Sequence, residues 1–127
     1  MADFAGIPRL DRLSNQELSL TLQRLQPNTA QYGITAYAGG GQTNAVLLTK
    51  TNSRVDTVAS AGDSVKFMST SLRKRYTVQN NHATNAMDVF PFPGENFIGL
   101  AVNVAISVPA QTQLVVYCYS KGEWTLQ

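Results

Sequence analysis

Nine short runs follow one another from Tyr32 onward and decide what this chain can fold into: ITAYA, NAVLLT, RVDTV, DSVKF, RYTVQN, AMDVF, VAISV, LVVYCYS and EWTL. They are rich in Val, Ile, Thr, Tyr and Phe, residues that fit a pleated, half-buried surface. Clusters of Gly, Pro, Asn, Asp and Ser separate them about every 8–12 residues, the interval of an all-β sandwich or barrel. The fold class is therefore mainly β. Residues 32–127 are predicted to form one β-domain, an antiparallel β-sandwich or jelly-roll-like barrel of about eight strands. Lys121-Gly122 reads as a tight hairpin between LVVYCYS and EWTL, with a glycine able to take a positive φ. FPFPGEN reads as a loop, because proline inside a central strand deletes ladder hydrogen bonds. No repeat at a period of about 20–50 residues is visible.

Residues 1–31 carry different signals. Phe4, Ile7 and Leu10 recur without a clear period, which reads as an extended arm. In SNQELSLTLQRLQP, Ser14 and Glu17 are spaced as a capping box, and Leu13 and Leu18 as a hydrophobic staple. Leu18, Leu22 and Leu25 then line one helical face, and Pro27 ends the pattern. The spacing predicts a helix over 15–25. Three turns are marginal alone in water, so this helix needs a surface to lie on. Two surfaces stand open: a neighbouring subunit, or the open face of the chain's own β-domain.

The supply of chemically active side chains is thin. Cys118 is the only cysteine and His82 the only histidine, so one chain can build neither a disulfide nor a thiolate zinc site. Cys118 alternates with Tyr117 and Tyr119 in a strand-like run and reads as a small buried hydrophobe. His82 lies in the polar stretch QNNHATNA and reads as a solvated loop residue. There is no GxSxG elbow, no HExxH and no phosphate loop. Gly39-Gly40-Gly41 leads into an apolar β-branched run rather than a helix, so it reads as a linker or a bulge. Asp56, Asp63, Asp88, Glu95 and Glu123 are scattered and read as turn-capping charges. The expectation is a protein that is not an enzyme and uses no cofactor and no metal.

Charge narrows the partners. With 10 Lys+Arg against 8 Asp+Glu and only 14% charged residues, the chain lacks the basic stripe of a nucleic-acid binder. Arg73-Lys74-Arg75 is the one cluster, and three charges fall short of the usual six to ten phosphate contacts. It reads as a solvated loop or as a contact for an acidic protein patch, with direct nucleic-acid binding disfavoured. No apolar run approaches the roughly 20 residues of a membrane span. MADFAGIPRLDR lacks the basic and apolar regions of a signal peptide. A sparsely charged, Asn/Gln/Thr/Ser-rich surface suits a protein packed against neighbours.

Several fragments, taken in order, carry a resemblance. AYAGGGQTNAVLLT is followed by SRVDTVASAGDSVKF, then YTVQNNHATNAMDVFPFPGENFIGL, and LVVYCYSKGEW closes the series. This order resembles a family of small tailed-bacteriophage virion proteins, the capsid decoration (cement) proteins, over roughly residues 36–124. FMSTSLRKR at 67–75 departs from the small, apolar segment usual there, and residues 1–31 have no counterpart. The resemblance implies a structural protein on the capsid exterior of a virion, made in the host cytoplasm. Its partner would be the major capsid protein, bound across subunit junctions by a homotrimer. The expected contact residues are Phe4, Ile7, Leu10, Leu13, Leu18, Leu22 and Leu25, together with Arg73, Lys74 and Arg75. Two other readings compete: a tail-tip or fibre domain, and a carbohydrate-binding β-sandwich. In the last, Tyr32, Tyr37, Tyr76, Tyr117, Tyr119 and Trp124 could supply stacking faces, although the alternation around Cys118 predicts that some of them point inward.

Overall fold

The structure, a computed structural model, describes residues 30–127. It is mainly β. Ten strands run in the order β1 (Ala30–Thr35), β2 (Val46–Leu48), β3 (Asn52–Thr57), β4 (Ser64–Phe67), β5 (Arg75–Asn80), β6 (Met87–Phe90), β7 (Asn96–Phe97), β8 (Ile106–Val108), β9 (Thr112–Ser120) and β10 (Glu123–Leu126). They form a six-stranded sheet, β1-β3-β5-β9-β10-β7, and a four-stranded sheet, β2-β4-β6-β8. The first six strands alternate between the two sheets, and within each sheet they pair in parallel. The chain thus winds as a short β-solenoid with coils of roughly 20–25 residues: Ala30 lies beside Asn52, and Asn52 beside Thr77. Between strands, antiparallel pairing enters where β8 and β9 close the stack and in the β9–β10 hairpin, and a single antiparallel bridge joins Tyr37 to Ser64.

This corrects the antiparallel sandwich or jelly roll expected from the sequence. The reason is local. Most strands have one buried and one outward face, as β5 and β6 do, and that gives the same alternation in a solenoid as in an antiparallel sandwich. Pairing direction depends on the connections. Apart from Lys121-Gly122, they carry the chain to the other sheet instead of turning it back. The Lys121-Gly122 hairpin itself forms as expected, with Gly122 at φ 89°. No α-helix occurs among the described residues. The predicted arm and helix over 15–25 lie outside them.

The core lies between the sheets. Val46, Val65 and Val89 stack in one row of the smaller sheet, and Leu48 stands beside Phe67. Facing them are Val55, Tyr76, Val78, Val116, Cys118 and Trp124 of the larger sheet, all buried. Phe67 sits at the centre of an aromatic cluster, 5.9 Å from Tyr76, 6.2 Å from Phe97 and 5.7 Å from Trp124 between ring centroids. Such tilted and edge-on pairs each contribute about 0.5–1.5 kcal/mol beyond burial. Trp124 Nε1 is buried with no hydrogen-bond partner among the described residues. No helix there is long and apolar enough to cross a membrane.

Candidate functional site

Buried polar side chains fix the corners of the coil. Glu95, 8% exposed, accepts from the Thr70 amide at 3.0 Å, the Thr70 hydroxyl at 3.0 Å and the Ser69 hydroxyl at 3.0 Å. Thr70 in turn accepts from the Gly122 amide at 2.7 Å through Oγ1 and from Lys121 Nζ at 2.7 Å through its carbonyl. Asp63 accepts from the amides of Gly39 and Ser60, and Ser64 Oγ donates to the Gly41 carbonyl. The glycine cluster is therefore a fixed corner rather than a linker. All three glycines have positive φ, and a Cβ on Gly40 would stand 2.8 Å from the Gly62 carbonyl oxygen. His82 Nδ1 accepts from the amides of Thr84 and Asn85, so the ring caps its own turn. Cys118 is buried and its Sγ donates to the Ser120 carbonyl. Among the described residues no three His, Cys, Asp or Glu side chains gather as a metal set.

Of the contact residues expected from the sequence, Phe4, Ile7, Leu10, Leu13, Leu18, Leu22 and Leu25 lie outside the described residues. Arg73, Lys74 and Arg75 lie within them and are exposed, in the connection from β4 and at the start of β5. Their backbone is stitched to β9: the Arg73 amide donates to the Cys118 carbonyl at 2.8 Å, and the Cys118 amide to the Lys74 carbonyl at 3.0 Å. Arg73 takes a φ of 66°, uncommon for a side chain this bulky. The triplet is thus a fixed basic knuckle, and none of its side chains holds an ion pair among the described residues.

A second surface was missed by sequence reasoning. In the connection from β7 to β8, Ile98, Leu100, Val102 and Val104 are all exposed, Val102 to 53% and Ile98 to 48%. The segment is tied down from within. The Leu100 amide donates to the Phe97 carbonyl, the Asn103 amide to the Glu95 carbonyl, and the Gly94 amide to Asn103 Oδ1 at 2.8 Å. Gln42 Nε2 reaches the same Asn103 oxygen from the first coil. Four apolar side chains are thereby presented to solvent on one tethered loop. Its sequence, GLAVNVA, interleaves apolar residues with turn formers and does not say which of them face solvent.

On the outer face of the six-stranded sheet, a groove of about 350 Å³ is lined mostly by residues with polar uncharged side chains, among them Gln79 and Gln113, together with Tyr32, Arg54 and Ala30. Tyr117 and Tyr119 also face outward, their rings 4.4 Å apart, because Val116 and Cys118 take the inward positions. Tyr76 and Trp124 are buried and offer no ring to a ligand. No protein-family model, no curated protein and no solved structure matches the chain.

Proposed function

We propose that this chain is a structural virion protein that decorates a phage capsid from outside, binding across subunits of the major capsid protein as a homotrimer. The observation that carries the reading is the tethered apolar segment from Ile98 to Val104, four exposed hydrophobic side chains on a surface poor in charge. The ordered series of motifs from AYAGGG to SKGEW supports it, as does the basic knuckle of Arg73, Lys74 and Arg75, suited to an acidic patch on a shell. A ligand that binds the assembled shell and not its dissociated subunits stabilises the shell by about 2.7 kcal/mol per site at a hundredfold excess over Kd. Decorated particles should hold their DNA to a higher temperature than undecorated ones.

The test is a double substitution, Ile98→Asp with Val102→Asp, which leaves every buried residue in place. Loss of decoration with an unchanged melting temperature is the expected result. Wild-type occupancy of the variant, or DNA release at the same temperature with and without the protein, overturns the proposal. The tail-tip or fibre reading is separated by copy number in purified virions: hundreds for a capsid protein, a handful for a tail.

A further inference from the structure

We infer that the groove on the outer face of the six-stranded sheet is a binding site for a neutral oligosaccharide of hexose units, with Tyr32 as its stacking platform and Gln79 and Gln113 as its hydrogen-bonding floor. The inference stands apart from the capsid reading and uses a different surface.

The platform is built by several features that converge. The β1–β3 pairing slips between Gln31 and Ile34, so Tyr32 and Gly33 form a bulge, a device that re-aims a side chain. Gly33 supplies the φ of 72° that the bulge requires, and its amide donates to Asp56 Oδ2 at 2.8 Å. Asp56 also accepts from Arg54 Nε at 2.8 Å and from Asn81 Nδ2 at 2.9 Å. The Arg54 guanidinium, held in this way, lies 5.6 Å from the centroid of the Tyr32 ring. Tyr32 is 78% exposed, so its ring is presented to solvent. A cation on one face of an aromatic ring and solvent on the other leaves a flat apolar surface for the C–H face of a sugar.

The floor follows from register. Arg54, Gln79 and Gln113 stand side by side across β3, β5 and β9, and Thr77 lies two residues before Gln79 on the same face. Neighbouring strands are about 4.8 Å apart, comparable with the length of one hexose ring. Each glutamine amide offers two donors and an acceptor oxygen, which matches the paired hydroxyls of a sugar. The side chains of Gln79 and Gln113 have no partner among the described residues. Charge selects against other ligands. Arg54 is neutralised by Asp56, whose carboxyl is held below its ordinary value, first by the Arg54 hydrogen bond and then by that of Asn81. Among the described residues no unpaired cation lines the groove to hold a phosphate or an acidic sugar.

The experiment is an NMR titration of the full ¹⁵N-labelled chain with cellohexaose, maltohexaose and chitohexaose, and with oligogalacturonate as the acidic comparison. At least one neutral hexaose should move the side-chain amide signals of Gln79 and Gln113 at millimolar concentration, and oligogalacturonate should not. Tyr32→Ala and Gln79→Ala should each weaken that binding by about tenfold or more, equivalent to about 1.4 kcal/mol. Both replace outward side chains, and thermal melting checks that each variant is folded. Silence with all three neutral sugars, binding of the acidic one alone, or unchanged affinity in both folded variants overturns the assignment.

Discussion

Glu95→Ala removes the side chain that ties three parts of the solenoid together. Its carboxylate bonds the Ser69–Thr70 connection, while Thr70 holds the β9–β10 turn through Gly122 and Lys121. After the substitution the Thr70 amide stays buried, since Thr70 is 2% exposed, and has lost its acceptor. An unsatisfied buried donor costs about 1–3 kcal/mol, and hydrogen bonds to a charged group contribute about 1.5–3 kcal/mol each. The two hydroxyls can rotate toward other acceptors, and removing a buried carboxylate returns part of its desolvation cost. The net expected loss is about 2–4 kcal/mol. Glu95→Gln keeps the shape and one acceptor oxygen, so it should fall between parent and Ala. Trp124 is the only tryptophan and is fully buried, so its emission reports unfolding directly. With a urea slope of about 1–3 kcal/mol per molar, the midpoint should drop by about 0.7 M or more. A loss below about 1 kcal/mol for Glu95→Ala would refute the claim that this carboxylate holds the corners.

Asp88→Asn should raise stability at pH 7. Asp88 is half-buried on the outer face of β6, and burial raises its carboxyl above the ordinary 3.8. A raised folded-state value means that stability falls as pH climbs from the unfolded value through the folded one. The advantage of Asn should therefore vanish below about pH 4, which melts at pH 7 and pH 3 would check. Gly40→Ala should cost more than Gly41→Ala in urea unfolding. Both glycines have positive φ, but only at Gly40 does a Cβ meet backbone, 2.8 Å from the Gly62 oxygen. About 2–4 kcal/mol is expected at Gly40 and about 1 at Gly41, and equal costs would show that the close approach carries no weight.

The strands were legible in the sequence because burial on one face imposes period 2 whichever way the neighbours run. All nine β-branched runs overlap a strand, while β7, only Asn96–Phe97, was too short to announce itself. Direction was not legible. A parallel solenoid is betrayed by a repeat, and this one is masked by connections of unequal length. Val46, Val65 and Val89 occupy one stacked row, yet the residues around them are LL, KF and F. Of the candidate sites, the basic triplet could be read directly, since charge clusters need no fold to be seen. The apolar segment from Ile98 to Val104 could not, because exposed and buried hydrophobic residues are spelled alike. The Tyr32 platform depends on a bulge and on a carboxylate 24 residues downstream at Asp56, and no local pattern predicts that meeting.

The repeat is hidden because corners, rather than strands, specify this solenoid. A coil with a strict sequence repeat can rely on identical side chains stacking at each turn. Here each corner has its own polar knot, buried at Asp63, Asn80 and Glu95 and half-buried at Asn85. Asp63 holds the Gly39 and Ser60 amides, Asn85 reaches the carbonyls of Val58 and Ala59, Asn80 those of Asn85 and Val108, and Glu95 the Ser69–Thr70 connection. Buried polar groups are costly unless satisfied, so each knot admits one loop path and rejects shifted ones. Register set at the corners leaves the outward positions of the strands less constrained by packing than the inward ones. Those positions carry the amide row of Gln79 and Gln113, and a corner tied by Asn103 carries the apolar segment. The two surfaces proposed for binding can therefore be altered without moving the core, which is why their variants are expected to fold.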